Sequence, residues 1–232
     1  MGIKMKALKA AFPHTLPVLT GYMFLGIAFG ILLSSKGYSL WWAILMSTVI
    51  YAGAAQFVSI SLLTTAFNPL YAFLIILVVN ARHLFYGISL LSRLSGAGRK
   101  KHYVVFGLTD ETFSILCSAE PPEGVDRNWF MFFITLLDQG YWIVGSALGA
   151  VLGTLVEFNT KGIDFVMTAL FVVIFIEQWK AQKYHGPAII GVIASLLCLV
   201  TFGANNFIIP AMIVIVSVLI LGKKNLERGM AG

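Results

Sequence analysis

Residues 70–83 read LYAFLIILVVNARH, an uninterrupted apolar run that ends in an asparagine, an arginine and a histidine. Comparable runs recur at 129–137 and 208–221, separated by short polar breaks. Of the 232 residues, 59% are hydrophobic and 11% are charged, whereas a soluble domain has about 25% charged residues. A water-soluble fold cannot hide that much apolar surface. The pattern predicts an all-α, polytopic membrane protein.

The N-terminus carries Lys4, Lys6 and Lys9 ahead of the first apolar segment. A signal peptide begins in this way, but no small-residue cleavage site follows, and the apolar run continues to residue 33. We therefore expect a retained first helix that starts in the cytoplasm. The net charge of +6 comes from bases at the ends of apolar segments. Such bases are typical of topology signals and lipid head-group anchors, not of nucleic-acid binding.

Two ten-residue stretches, 21–30 and 140–149, share the pattern G-Y-x-x-x-G-x-A-x-G without a gap. This match predicts a first repeat over 1–118, an external loop over 119–128 and a second repeat over 129–232. The simpler alternative is that glycines at every fourth position only let membrane helices pack closely. On either interpretation, we expect one close-packing face from three glycines: Gly145, Gly149 and Gly153.

The basic loops constrain the number of crossings. We take the candidate segments as 15–34, 39–65, 69–92, 103–118, 129–155, 163–180, 186–202 and 206–222. Loop 93–102 is the most basic internal stretch and should be cytoplasmic, but eight simple crossings would place it outside. The conflict disappears if 39–65 is two half-helices broken near 51–56, with a matching break in 163–180. Six crossings then remain and the halves are inverted, as in many secondary transporters; eight crossings stay the alternative.

Several ionisable groups fall inside apolar segments, where each is costly unless it is paired or faces a cavity. Arg82 and His83 lie in segment 69–92, and Asp110 and Glu111 lie in segment 103–118. The two segments should run antiparallel, which places Arg82 close in depth to Asp110 or Glu111. Arg82 points about 100° away from His83 on a helix, so the two side chains would serve different partners. We assign these four residues to coupling or charge pairing, with a purely structural salt bridge as the alternative.

We predict a substrate site at the helix breaks. Backbone groups freed at a break suit the charged ends of a small solute, a helix N-terminus for a carboxylate and a C-terminus for a cation. The residues assigned to this site are Gly53, Gln56, Asn80 and Gln178. The alternative for the two glutamines is hydrogen bonding across helices. Asp138, just ahead of the second motif, is a weaker candidate.

The chain resembles the AzlC family, the large subunit of bacterial branched-chain amino acid exporters associated with azaleucine resistance. The matching residues cover nearly the whole chain: 21–30, AGAAQF at 52–57, NARHLFYG at 80–87, TDE at 109–111, GIDF at 162–165 and TALF at 168–171. The resemblance implies export of valine, leucine, isoleucine and in some members methionine. It also implies a second, much smaller membrane subunit of the AzlD type, on another chain.

These observations predict a secondary transporter in the bacterial cytoplasmic (inner) membrane, with both termini cytoplasmic. We expect alternating access of the inverted halves, driven by protons, because no ATP-binding P-loop is present and acids and bases lie at membrane depth. A channel or facilitator for a small solute is the alternative. We expect no enzyme activity and no cofactor, since neither a zinc motif nor an acyl-transfer motif occurs.

Overall fold

The computed structural model describes residues 2–66, 68–155, 172, 175–176, 179–180, 184–203 and 207–222. Within these residues the regular elements are all α-helices, which confirms the all-α prediction. They are α1 (Ile3–Ser35), α2 (Leu40–Val49), α3 (Gly53–Thr64), α4 (Pro69–Val79), α5 (Ala81–Leu90), α6 (Lys100–Phe106), α7 (Asp110–Ser118), α8 (Arg127–Leu155), α9 (Gly186–Phe202) and α10 (Ile208–Leu221).

The chain divides into two compact units, 1–164 and 165–232. The first contains α1 to α8, and in the second α9 packs against α10. Two described helices, α1 and α8, are long and apolar enough to cross a membrane, and α4 with α5 makes a third span if this pair, bent by 43°, is counted as one. The predicted number of crossings and the repeat boundaries stay predictions. The predicted second break, within 163–180, lies largely outside the described residues.

Helices α1 and α8 pack along their glycines. A methyl group on Gly149 would overlap the backbone of Ile27, and one on Gly30 would overlap the backbone of Ser146. The other close approaches are Gly145 to Tyr22 and Gly153 to Ser34. The expected glycine face of α8 is therefore confirmed, and it allows two backbones to approach as small residues do in membrane helices.

The same contacts fix the direction of the two helices. Positions further along α1 meet positions further along α8, so the two helices run parallel. The two copies of the glycine pattern therefore lie side by side in the same direction. The inverted scheme places them in opposite directions, and for this helix pair that prediction is wrong.

Segment 39–65 is broken, as predicted. Helix α2 ends at Val49 and α3 begins at Gly53. The hydroxyl of Tyr38, before α2, donates to the carbonyl of Leu63, near the end of α3, at 3.2 Å. The segment therefore forms a hairpin that begins and ends on one side, and we name α2–α3 the first hairpin. At its tip Tyr51 has φ of 41°, a left-handed conformation that is strained for a bulky residue.

Segment 103–118 is also a hairpin, which the sequence reasoning missed by treating it as one crossing. Helix α6 ends at Phe106 and α7 begins at Asp110. The far end of α7 returns to the loop before α6, because Arg93 donates to the carbonyl of Leu116 at 2.9 Å and pairs with Glu120 at 3.3 Å. We name α6–α7 the second hairpin.

The missed hairpin explains why the inverted scheme is wrong for the pair α1 and α8. A segment that turns back does not cross, so the loops on either side of it lie at the same end of α8. The ammonium groups of Lys4 and Lys100 both lie over the ring of Trp129, at 4.8 and 4.5 Å. Asn128 reaches the carbonyl of Gly96 at 3.4 Å. The N-terminus, loop 93–102 and loop 119–128 thus share one end, whereas the sequence scheme placed loop 119–128 opposite the other two.

Segment 69–92 is bent and not a single straight helix. Helix α4 ends at Val79 and α5 starts at Ala81, with Asn80 between them. The Asn80 N–H donates back to Ile76 while its own carbonyl accepts from His83. The polar sequence NARH therefore marks a bend in the span and the start of α5.

Candidate functional site

The tips of the two hairpins meet the bend of α4–α5 around one cavity. Its volume is about 260 Å³. The lining residues are Ile50, Tyr51, Ala52, Leu77, Asn80, His83, Leu84, Val105, Phe106 and Leu108. The breaks in three segments, 39–65, 69–92 and 103–118, therefore meet at this cavity. Such an arrangement is expected, because irregular backbone at membrane depth is tolerated only where it is buried in protein or lines a cavity.

The middle of α8 holds both hairpin tips. Gln139 donates to the carbonyl of Thr48, at the end of α2, at 3.1 Å and accepts from the Tyr103 hydroxyl of α6 at 2.5 Å. One amide thus bridges the two hairpins. The indole N–H of Trp142, one turn later, donates to Gln56 Oε1 at 2.8 Å.

Gln56 and Gly53 lie at the start of α3, as expected, but Gln56 has structural partners. Its side chain is fully buried; besides accepting from Trp142 it donates to Ser47 of α2 at 3.2 Å. A Cβ on Gly53 would lie 3.1 Å from the Trp142 ring. The N-cap position of α3 is Ala52, whose methyl group cannot accept a hydrogen bond, and no other described side chain caps this helix. Ala52 also lines the cavity.

Asn80 and His83 line the cavity together. The Asn80 Oδ1 atom is buried and has no hydrogen-bond partner among the described residues. Asn80 also borders a second cavity of about 610 Å³ between α2, α3 and α4, with walls that are otherwise almost entirely apolar. It therefore stands between two cavities, at the C-terminal end of α4.

Arg82 is not among the residues that line the cavity, and it pairs with Asp110. Its Nη1 lies 2.6 Å from Asp110 Oδ2, and Tyr86 donates to the other oxygen of that carboxylate at 2.6 Å. The expected pairing and the expected divergence of Arg82 and His83 are both present. The pair joins the bent helix to the start of α7, which fits the structural alternative as well as a role in coupling.

Glu111 and Asp138 terminate a series of hydroxyl contacts. Tyr22 lies 2.8 Å from Glu111 Oε2 and 2.5 Å from Thr109 Oγ1. Thr109 Oγ1 lies 3.0 Å from Thr112 Oγ1, which lies 2.8 Å from Asp138 Oδ2. Glu111 is exposed, whereas Asp138 is completely buried. The series connects α1, α7 and α8.

The sequence reasoning left Tyr22, Gln139 and Trp142 out of the predicted site and gave Asp138 little weight. Tyr22 belongs to the glycine pattern, Asp138 was the weaker candidate just ahead of the second motif, and Gln139 lies next to it. A usable signal was present, because adjacent acidic and amide residues inside a long apolar segment need buried partners. Gln178 lies outside the described residues.

Comparison with known proteins places the chain in a family. Residues 17–156 match the family model described as AzlC protein. A Bacillus subtilis protein named "Branched-chain amino acid transport protein AzlC" is 52% identical, over 96% of this chain and 87% of that protein. A Helicobacter pylori "Uncharacterized membrane protein" is 42% identical, over 96% and 98%. The Escherichia coli "Inner membrane protein YgaZ" is 28% identical, over 86% and 82%.

No solved structure matches the chain. The family match and the relatives nevertheless agree with the apolar helices described above. The chain is a membrane protein whose described elements are all helices, and it belongs to the AzlC family.

Proposed function

We propose that this protein exports branched-chain amino acids as the large subunit of a two-component secondary transporter. The proposed substrates are valine, leucine and isoleucine, with methionine as a further candidate. The observation that carries the proposal is the cavity lined by the two hairpin tips and the bend at Asn80. The 52% identical relative is named for transport of this substrate class.

The cavity has features that complement a branched-chain zwitterion. The uncapped start of α3 borders it and favours a carboxylate, because free N–H groups and the helix dipole point there. The C-terminal end of α4 also borders the cavity, and the Oδ1 of Asn80 has no hydrogen-bond partner among the described residues. Both favour the ammonium group. Leu77, Leu84 and Phe106 supply apolar walls. A volume of 260 Å³ is just below the roughly 300–1,000 Å³ of pockets for drug-sized ligands, which suits a smaller solute.

Protons are the proposed driving ion. The charged and titratable group formed by Arg82, His83, Asp110 and Glu111 lies beside the cavity and at the start of the second hairpin. Proton-coupled transporters use intramembrane acids and bases in this way. The parallel α1–α8 pair serves as the fixed frame, and alternating access arises from movement of the hairpin tips and the bent span.

The proposed partner is a small AzlD-type membrane subunit on a separate chain. The proposed location is the bacterial cytoplasmic (inner) membrane, with the N-terminus in the cytoplasm. The clustering of Lys4 and Lys100 at one end of α8 supports this orientation, because basic residues concentrate on the cytoplasmic side.

The test is efflux of labelled leucine and valine from inside-loaded membranes with and without the co-expressed small subunit. We expect saturable efflux only with both chains. Asn80→Ala should weaken the apparent affinity for leucine, whereas Asn128→Ala, in the loop at the end of α8, should not. Equal leucine fluxes with and without the two chains would contradict the proposal.

A channel or facilitator is the second candidate, because paired hairpins whose tips meet also occur in pores. Counterflow separates the two. A transporter should accumulate labelled leucine against unlabelled leucine in a saturable way, whereas a channel should show no such exchange.

A further inference from the structure

The structure contains a continuous series of hydroxyl groups between two carboxyl groups. It runs from Glu111 through Tyr22, Thr109 and Thr112 to Asp138, with oxygen–oxygen distances of 2.8, 2.5, 3.0 and 2.8 Å. All four distances lie within or at the limit of the range of an O–H···O hydrogen bond. We propose that this series is a proton relay in which Glu111 and Asp138 share one proton, with Glu111 as the exposed end and Asp138 as the buried carrier.

The number of protons supports the sharing. The series has four oxygen–oxygen contacts and three hydroxyl groups, Tyr22, Thr109 and Thr112. Three hydroxyl protons satisfy three contacts, so the fourth contact needs one proton from a carboxyl group. If both carboxyl groups are ionised, one of the four contacts has no proton. If both are protonated, five protons compete for four contacts and one has no acceptor in the series. One proton between the two acids satisfies every contact.

The transfer balances at every oxygen. In one state protonated Glu111 donates to Tyr22, Tyr22 to Thr109, Thr109 to Thr112, and Thr112 to ionised Asp138. When each donor passes its proton to the next oxygen, Glu111 becomes ionised and Asp138 becomes protonated. All hydrogen bonds in the series then point the other way. No oxidant, reductant or additional group takes part.

Thr109 can serve both directions without losing its role as the cap of α7. Its oxygen accepts the backbone N–H of Thr112 at 3.2 Å. That leaves one lone pair and one proton for Tyr22 and the Thr112 hydroxyl, and the two can exchange roles. The cap therefore holds the relay oxygen in place while the proton direction reverses.

The buried end of the series has an additional unpartnered atom. Asp138 is completely buried, and its Oδ1 has no partner among the described residues. The hydroxyl of Tyr51, at the strained tip of the first hairpin, is also buried without a partner there. Tyr51 lines the cavity proposed for the substrate. A buried ionised oxygen without a partner is costly, so a proton on Asp138 is favoured in this arrangement.

The titratable groups around the relay come from every element packed on it. Helix α1 supplies Tyr22, the tip of the first hairpin supplies Tyr51, α6 supplies Tyr103 and α7 supplies Asp110 and Glu111. Arg82 is already paired with Asp110. Among the described residues no cation pairs with Asp138 or Glu111, so a shared proton is the available compensation for their charge.

Infrared spectroscopy of the purified full-length protein tests the shared proton directly. We expect a protonated-carboxyl band in the unmodified protein. It should be lost in Asp138→Asn and equally in Glu111→Gln, because an N–H of the new amide supplies the fourth proton of the series and leaves the other carboxyl ionised. An isolated buried acid would lose its band in only one of these variants. Asp126→Asn, in the exposed cap of α8, should leave the band unchanged. Survival of the band in either relay variant, or its absence from the unmodified protein, would overturn the relay.

A transport experiment tests the relay as part of the proposed function, on which this inference rests. Thr112→Val removes the hydroxyl at nearly constant shape, and Thr112→Ser keeps it. With the small subunit present, we expect the valine variant to lose proton-driven uphill leucine export and the serine variant to retain it. Retention of uphill export by Thr112→Val contradicts the relay. Absence of leucine transport by the unmodified protein contradicts the proposed function instead, and the infrared comparison still decides the relay.

Discussion

The two hairpins of the first unit share a helix–turn–helix geometry but differ in the polar and charged groups at their tips. The first is held by neutral groups, since the Gln56 amide joins Ser47 and Trp142. Its second helix, α3, starts without a side-chain cap from any residue that the structure describes. The second is capped by Thr109, and its second helix starts with Asp110 and Glu111. A helix start that is open and uncharged favours an anion, whereas one already capped and followed by carboxylates does not. Under the proposed function, this difference would place the substrate carboxylate at the first hairpin and protons at the second.

The largest expected effect on the free energy of unfolding comes from the ion pair Arg82–Asp110. Arg82→Met removes the partner of Asp110, and both side chains are more than two-thirds buried, with exposures of 29% and 28%. Breaking a buried pair costs about 3–5 kcal/mol, and partial exposure should reduce this to about 2–3 kcal/mol. Unfolding of the detergent-solubilised protein measures it. Combining Arg82→Met with Asp110→Asn should recover much of the lost unfolding free energy, because no unpaired charge then remains. If the double variant is as unstable as Arg82→Met alone, the ion pair does not hold the second hairpin.

The next largest effect on the free energy of unfolding is expected at Gly107, in the tip of the second hairpin. A Cβ on Gly107 would overlap the γ-methyl of Thr135 in α8. Overpacking of this kind costs about 1–3 kcal/mol, so Gly107→Ala should lower the unfolding free energy by about 2 kcal/mol. Thr135→Ser removes that methyl and should restore most of the stability in the double variant. If it does not, the tip is not fixed by this contact.

The corresponding test of the first hairpin is Gln56→Leu. The substitution leaves the Trp142 N–H and the Ser47 hydroxyl without their partner, and each lost hydrogen bond costs about 0.5–1.5 kcal/mol. We expect a loss of about 1–3 kcal/mol for the two bonds together. A double-mutant cycle with Trp142→Phe isolates the indole contact. Additive effects in that cycle would mean that the amide does not tie the hairpin to α8.

Gly53→Ala should have the smallest effect. The added methyl would lie 3.1 Å from the edge of the Trp142 ring, and a small shift of the ring relieves that contact. We expect less than about 1 kcal/mol of destabilisation. Gly140→Ala is the matched control, since nothing lies within 4 Å of its added methyl. A larger loss for Gly53→Ala than for Gly107→Ala would reverse the assignment of the tighter tip to the second hairpin.

The sequence predicted those features of the fold that follow from local patterns. The apolar runs predicted helices, the glycines every fourth residue predicted the α1–α8 contact, and the basic loops required that 39–65 turn back. The hairpin at 100–118 was missed because its break, Gly107-Leu108-Thr109, is short and falls inside an apolar segment. A single missed turn was enough to reverse the expected direction of α8.

The candidate site was partly predictable for the same reason. Arg82 and Asp110 could be paired by depth alone, since they lie on segments joined by a short loop. Tyr22 and Asp138 could not be joined in this way, because their helices are separated by most of the first unit. Gln56 was predicted to bind substrate because it lies at a helix break. The structure shows that its polar atoms already form hydrogen bonds with Trp142 and Ser47.

The glycine contact between α1 and α8 has a consequence for synthesis of the protein. The first glycine of this contact emerges from the ribosome more than a hundred residues before its counterpart, since Gly26 precedes Gly145 in the chain. Until α8 is inserted, the two hairpins lack the hydrogen bonds that Gln139 and Trp142 make to them, and Gln56 has no contact with Trp142. Non-local contacts of this kind form late. We therefore expect the first hairpin to gain part of its stability only after α8 is inserted, and we expect insertion factors or quality-control proteases to act in that interval.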